Sequence, residues 1–373
     1  MKRRPREFSA PNLENIMDAV NMATTEGDLW KKHRRISSRP LTETNLDHLL
    51  PMIISAAQEL IRRLEKSADE GGNVEWCPVE DLQLCASRVA SAVFMGEEDS
   101  VTSKNPLYTT EMQVDLLRII KDAFMITLKP TCVFYHDRFL YMLLFPGVRK
   151  FAQRLKRLQS QITDGIRQQV THGLDRPHVG RSLMASAGSE YNETELAHTL
   201  FMYIGGGAET TASAMSWLLH NLCVHPELQR KARREADALE ELSVESIHSM
   251  PFVEACALET LRLNPSVPVS IVSALVDCEV AGKRVKAGTQ VIFPIGQMMR
   301  ESYEDGDKFM PERWLTPSGD SIDEKKRSEF IAFGVGPRQC PGKHLAIREL
   351  LCNTALFLRN FCDIRLVKGQ VAS

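Results

Sequence analysis

Phe333-Gly334-Val335-Gly336-Pro337-Arg338-Gln339-Cys340-Pro341-Gly342 sets one cysteine at the end of a glycine-rich loop, just before an amphipathic stretch. Gly334 and Gly336 open backbone conformations closed to other residues, or let a flat group approach the chain. Pro341 suits the first position of a helix, so the positive helix end favours a Cys340 thiolate, the form that ligates metals. Arg338 stands two residues earlier, placed to meet an acidic group on whatever the sulfur binds. Gly342 removes a side chain where a broad ligand would press on the helix start. A lone cysteine is ordinarily an inert buried thiol. The set of Phe333, Gly336, Arg338, Cys340 and Gly342 points instead to axial thiolate ligation of a haem iron.

The rest of the chain is compatible with that reading. Its 373 residues are 43% hydrophobic and 25% charged, which suits a large buried core. The formal net charge of −2 gives no reason to invoke nucleic acid. Nine cysteines contain no Cys-x-x-Cys pair and form an odd count. That argues against a zinc site or a disulfide framework, and for a reducing compartment. No apolar run approaches the roughly 18–20 residues that a bilayer requires. The basic start Met1-Lys2-Arg3-Arg4-Pro5-Arg6 is followed by no hydrophobic segment, so it does not read as a signal peptide.

Apolar residues at three-to-four spacing predict helices over Leu46–Lys66, Pro78–Met95, Thr110–Leu128 and Val148–Gly173. Asn192–Val224 is apolar nearly all round and predicts a buried central helix. A charged surface helix follows from Pro226 to about Leu239, and another covers Pro251–Leu263, stopped by Asn264-Pro265. Val267–Pro294 reads as strands, Tyr303–Phe330 as a polar irregular segment, Pro341–Asn360 as the last helix and Asp363–Val367 as a short strand. No linker divides the chain, so residues 1–373 are read as one domain, mainly α with small β sheets.

Three further stretches carry chemistry. Gly205-Gly206-Gly207-Ala208-Glu209-Thr210-Thr211 places glycines, an acid and threonines inside the apolar helix. Each glycine costs about 1 kcal/mol against alanine there, and such conflicts with local propensity mark functional sites. Either a ligand sits against the helix, or the stretch is a packing seam with a solvated acid. Glu259 and Arg262 fall on one helical face, as a surface salt bridge or a partly buried pair. Trp30 and Arg34 lie one turn apart, an indole beside a guanidinium, within a basic run that includes Lys31, Lys32 and His33.

Together these motifs resemble the cytochrome P-450 family, the haem-thiolate monooxygenases. They occur in family order from Trp30 to Glu349, nearly the whole chain. The resemblance implies the family's helical fold around haem b (iron protoporphyrin IX), with Cys340 as the metal ligand. It implies that Glu209 and Thr210 are catalytic and relay protons to iron-bound dioxygen. Trp30 and Arg34, with His33 assisting, correspond to the family's clamp on the haem propionates, and Phe333 to the ring beside the sulfur. Glu259 and Arg262 match the family's Glu-x-x-Arg, with Arg313 of Pro311-Glu312-Arg313-Trp314 completing a buried structural charge network. Ala346 and Glu349 fit the pattern of the last helix and read as packing and surface residues.

By the same resemblance, one oxygen atom of O2 is inserted into a lipophilic small molecule. Candidate pocket residues are Phe201, Met202, Ile204, Ala208, Val267, Val269 and the Phe134–Phe145 stretch. Electrons come from NADPH through a partner reductase, or from a ferredoxin, docking on a basic face of Lys31, Lys32, Lys343 and Arg348. The chain is expected to be a monomer, and the full-length protein to lie on the cytosolic face of the endoplasmic reticulum membrane.

Three departures stand out. The opening Arg4-Pro5-Arg6-Glu7-Phe8 is similar to a segment well inside family members, so a membrane anchor, the first helix and the first strands are expected to be missing. The family's C-terminal hairpin is expected to be missing after Ser373. Ser270-Ile271-Val272-Ser273 stands where members often carry a propionate-binding arginine. Two other readings remain open: a non-catalytic haem-binding or unstable fragment, and a haem-thiolate isomerase or dehydratase.

Overall fold

The computed structural model describes residues 21–23, 25, 27–38, 41–42, 46–95, 114–119, 121–122, 144–171, 192–274 and 276–367. It is mainly helical, with two small two-stranded sheets. The helices are α1 (Gly27–Ser38), α2 (Leu50–Lys66), α3 (Pro78–Met95), α4 (Pro146–Thr171), α5 (Glu193–Val224), α6 (Pro226–Asp237), α7 (Pro251–Leu263), α8 (Ile295–Glu301), α9 (Glu324–Ser328) and α10 (Lys343–Asn360). The strands are β1 (Ser270–Ser273), β2 (Cys278–Val280), β3 (Lys283–Val285) and β4 (Gln290–Phe293). The Thr110–Leu128 expectation falls largely outside the described residues, of which 114–119 are helical.

Two compact units can be distinguished. The first comprises Met1–Leu41, Ala90–Gly206 and Ile271–Phe293. Within it α1 is held to α5 through Tyr203, whose hydroxyl lies 2.6 Å from Ser37 Oγ and whose ring stacks on Phe94 at 4.7 Å. Antiparallel β2 and β3 pair Cys278 with Val285 and Val280 with Lys283. Their turn places Ala281 at φ 50° and Gly282 at φ 75°, both left-handed. That backbone matches the twist of a tight hairpin, at a cost for the alanine.

The second unit comprises Thr42–Val89, Gly207–Ser270 and Pro294–Ser373. Its centre is α10, buried without a break from Ile347 to Leu358 and packed against α2, α6 and α7. The buried run includes Arg348, Glu349, Asn353 and Thr354, so neighbours on every side, rather than an apolar sequence, make α10 the core helix. Trp76 adds a ring stacked on Phe357 at 5.4 Å. Helix α7 is buried from Phe252 to Leu263, although Met250 at its start supplies no side-chain cap. The missing acceptor comes from α6, where Glu235 takes the amides of Phe252 (2.9 Å) and Val253 (2.7 Å).

Asp363–Val367 is not a strand. The backbone of Ile364 bonds instead to the side chain of Gln229, which donates to its carbonyl at 2.7 Å and accepts from its amide at 3.1 Å. An amide side chain has taken the place of a partner strand. Two short helices were missed from sequence: α8, which falls between the strands and Tyr303, and α9, within the segment read as irregular. Asp323 caps α9 by accepting from the amides of Lys325 and Lys326, a signal present in the sequence.

Candidate haem-thiolate site

The cysteine loop lies wholly in the second unit. Gly334 and Gly336 have φ of 73° and 70°, the left-handed conformation that excludes most side chains. They turn the chain so that the amide of Cys340 bonds back to the carbonyl of Phe333 at 2.8 Å. Cys340 is exposed at the end of this closed loop, and a Cβ on Gly342 would stand 3.9 Å from its sulfur. Helix α10 starts at Lys343 with Gly342 as its N-cap, two residues later than the sequence suggests, and its first bond runs from Ala346 N to Gly342 O at 2.9 Å. Arg338 is half-buried at the end of a short 3-10 turn over Gly336–Arg338.

Behind the loop lies the charge network. Glu259 and Arg262 are fully buried, and the pair is bidentate, Nε to Oε2 at 2.8 Å and Nη2 to Oε1 at 2.9 Å. Arg313 Nε adds a bond to Oε1 at 2.9 Å, and its side chain is 11% exposed. Two donors were not foreseen, the amide of Met310 to Oε1 and the indole of Trp314 to Oε2, each at 2.9 Å. Arg262 Nη1 donates to the carbonyl of Gly306 (2.6 Å), and Nη2 also donates to that of Lys308 (3.1 Å). The polar segment is thus tied to α7 by charge-assisted bonds in a dry interior, where they are strong. Gly306 is required there, because a Cβ would fall 1.8 Å from the carbonyl oxygen of Arg300.

Aromatic rings carry this order to the loop. Trp314, 0% exposed, meets Phe330 edge to face at 5.2 Å, and Phe330 meets Phe333 the same way at 6.1 Å. Phe333 is the residue whose carbonyl holds the Cys340 amide. A continuous set of contacts therefore runs from Glu259 to the cysteine backbone.

Glu209 and Thr210 follow the three glycines on α5, both half-buried. Glu209 accepts from Gln83 Nε2 of α3 at 2.8 Å. Ser266 donates to the backbone carbonyl of Thr210 at 2.7 Å. Further along, Thr354 Oγ1 of α10 donates to Met215 Sδ of α5 at 3.8 Å, so the helix bearing the acid touches α10 at that point.

Trp30, His33 and Arg34 belong to the first unit, on α1. Trp30 and Arg34 are half-buried, and Arg34 Nη1 lies 3.7 Å from Met22 Sδ. His33 is fully buried with Nε2 3.8 Å from Glu195 Oε1, and burial pushes its pKa down to about 4.

Other readings need correction. Arg348 does not serve a docking face: it is 3% exposed and paired to Asp47 at 2.6 Å. Glu349 is not a surface residue but 2% exposed, and burial holds its pKa well above the usual carboxylate range. Phe201, Ile204 and Ala208 are buried in protein, whereas Val267 and Val269 are exposed. Residues 134–143 of the aromatic stretch lie outside those described.

The donor set fits a haem on three counts. One exposed sulfur stands just before a helix start, no side chain rises from Gly342 beside it, and the loop that carries it is closed by the Cys340 amide on the Phe333 carbonyl. Among the described residues no group of three His, Cys, Asp or Glu side chains could hold a bare metal ion.

Comparison with known proteins agrees. The family model for cytochrome P450 matches residues 1–364, and the chain belongs to that family. It is 24% identical to Protein LUTEIN DEFICIENT 5, chloroplastic, of Arabidopsis thaliana, over 97% of this chain and 63% of that protein. It is 26% identical to the carotene epsilon-monooxygenase, chloroplastic, of the same plant (97% and 69%). Against the cytochrome P450 monooxygenase FUM2 of Gibberella moniliformis the identity is 27% (85% and 68%). The chain thus spans 63 to 69% of the length of these relatives. The crystal structure of the cytochrome P450DA heme domain superposes with a TM-score of 0.77 at 18% identity, over 95% of this chain and 76% of that one. The shared fold is that of the cytochrome P450s.

Proposed function

We propose that this chain is a haem-thiolate monooxygenase that inserts one oxygen atom of O2 into a lipophilic organic substrate. The observation that carries the reading is the closed loop that presents Cys340 beside side-chain-free Gly342. Relatives named as monooxygenases support it. Bound at Cys340, haem b supplies the redox chemistry that activates dioxygen.

The protein's residues bind, orient and move protons. The positive start of α10 favours the Cys340 thiolate, and the Glu259–Arg262–Arg313 network fixes the segment behind it. By the family resemblance, Trp30, Arg34 and His33 of α1 would serve the haem propionates; Arg338, on the cysteine loop, would meet an acidic group of the same ligand. Phe333 and Gly336 shape the loop against the ring. Glu209 takes protons from solvent and passes them by way of the Thr210 hydroxyl. Electrons come from NADPH through a reductase, or from a ferredoxin.

On the family reading, the enzyme acts at the cytosolic face of the endoplasmic reticulum. No described helix of this chain is long and apolar enough to cross a membrane.

The test is to express the chain with haem supplied, reduce it, add carbon monoxide and record the Soret band. A red-shifted band of the thiolate type is expected, and its loss in Cys340→Ala. A band that survives this substitution sinks the proposal. Failure to take up haem at all favours a non-catalytic fragment.

A further inference from the structure

Glu209 and Gln83 are 126 positions apart in sequence, yet the Gln83 amide donates to Glu209 Oε2 at 2.8 Å. Among the described residues this amide is the carboxylate's one hydrogen-bond or ion-pair partner. Both side chains are half-buried, so the contact is neither a solvated surface pair nor a sealed core bond. The adjoining backbone is held separately, by Ser266 at the carbonyl of Thr210.

We propose that Gln83 is a positioning residue for Glu209, a role that rests on Glu209 acting as the proton-delivering acid. The chemistry of the partner matters. A lysine or arginine at this place would hold the carboxylate ionised and fix it as an ion pair. A neutral amide orients Oε2 through one bond and adds no charge beside the carboxylate. Oε1 is left as the carboxylate oxygen without a bond among the described residues, and we assign proton exchange to it. In this role Gln83 works through Glu209 and is not itself a catalytic residue.

The experiment uses the haem-loaded protein as its ferrous carbon monoxide complex, which is diamagnetic. Carboxyl carbons of glutamate are labelled with carbon-13, and the Glu209 signal is assigned by its disappearance in Glu209→Gln. Its titration midpoint is compared in the parent, in Gln83→Met, which keeps the shape and removes the donor, and in Gln83→Glu. A second carboxylate at this distance disfavours ionisation, so Gln83→Glu is expected to raise the midpoint by about one pH unit or more. Gln83→Met is expected to raise it less, through loss of a bond to the charged form.

In parallel, oxygen uptake driven by NADPH and an added reductase is partitioned between peroxide and water. A larger peroxide share is expected in both Gln83 variants, with an unchanged carbon monoxide band as proof of an intact site. Equal midpoints in all three proteins overturn the inference, as does a moved midpoint with a parental peroxide share. Should Glu209→Gln itself leave the peroxide share unchanged, the role of Glu209 falls. Should Glu209→Gln raise it while the Gln83 variants stay silent, only the role of Gln83 falls.

Discussion

Glu259 and Glu209 are carboxylates of the same unit with opposite settings. Glu259 is sealed from solvent and accepts bonds from two guanidinium groups, an indole and a backbone amide. Glu209 is half-buried and accepts one bond from a neutral amide. The first arrangement leaves the acid no freedom, so its charge can only brace the chain. The second leaves one carboxylate oxygen without a bond among the described residues. Number and charge of donors, rather than residue type, set a strut apart from the acid proposed to carry protons.

The hardest blow to that contrast is Glu259→Ala. It strands the fully buried Arg262, and loss of about 3–5 kcal/mol is expected, read as a lower denaturant midpoint of the haem-loaded protein. A shift of only a few tenths would mean that the network braces little. Trp314→Phe keeps the ring contacts and removes one bond to a charged acceptor, so about 1.5–3 kcal/mol should be lost in the same measurement.

Glu349 sharpens the comparison from a third side, being buried with Oε2 unpartnered among the described residues. Burial raises its pKa well above 4.5, the value expected when unfolded. Between those two values the folded chain keeps a proton that the unfolded chain releases. Its contribution is therefore complete below about pH 4.5 and is lost as pH rises through the folded value. Glu349→Gln should flatten this decline, gaining stability over the parent at pH 8 relative to pH 5; an unchanged difference between the two pH values contradicts it. Smallest of all on stability is Glu209→Gln, expected to stay within about 0.5 kcal/mol of the parent. A large loss there would make Glu209 a strut as well.

Much of this was legible in the chain. Local signals fixed α3 and α7 at the observed residues, because a proline opens each and their apolar spacing is regular. The cysteine loop could be read because its glycines and proline act within ten residues. What escaped depends on distance in sequence. Trp314 joins Glu259 across 55 positions and Gln83 joins Glu209 across 126, and no periodicity announces either. Arg348 was misread for a related reason, since a charge on an amphipathic helix looks solvated until its partner, here Asp47, is placed. The strand at Asp363–Val367 failed because a side chain, Gln229, satisfied the backbone in place of another strand.

The carboxylate of Glu235 has a consequence for how the chain is assembled. It supplies from α6 the acceptors that the first amides of α7 lack. The helix that carries Glu259 is therefore incomplete until its predecessor docks, which makes the two a cooperative pair rather than independent segments. Lengthening the connection between Ala238 and Met250 would weaken that closure only gradually with loop length, whereas Glu235→Ala would fray the start of α7 at once, and hydrogen exchange at Phe252 and Val253 would report it.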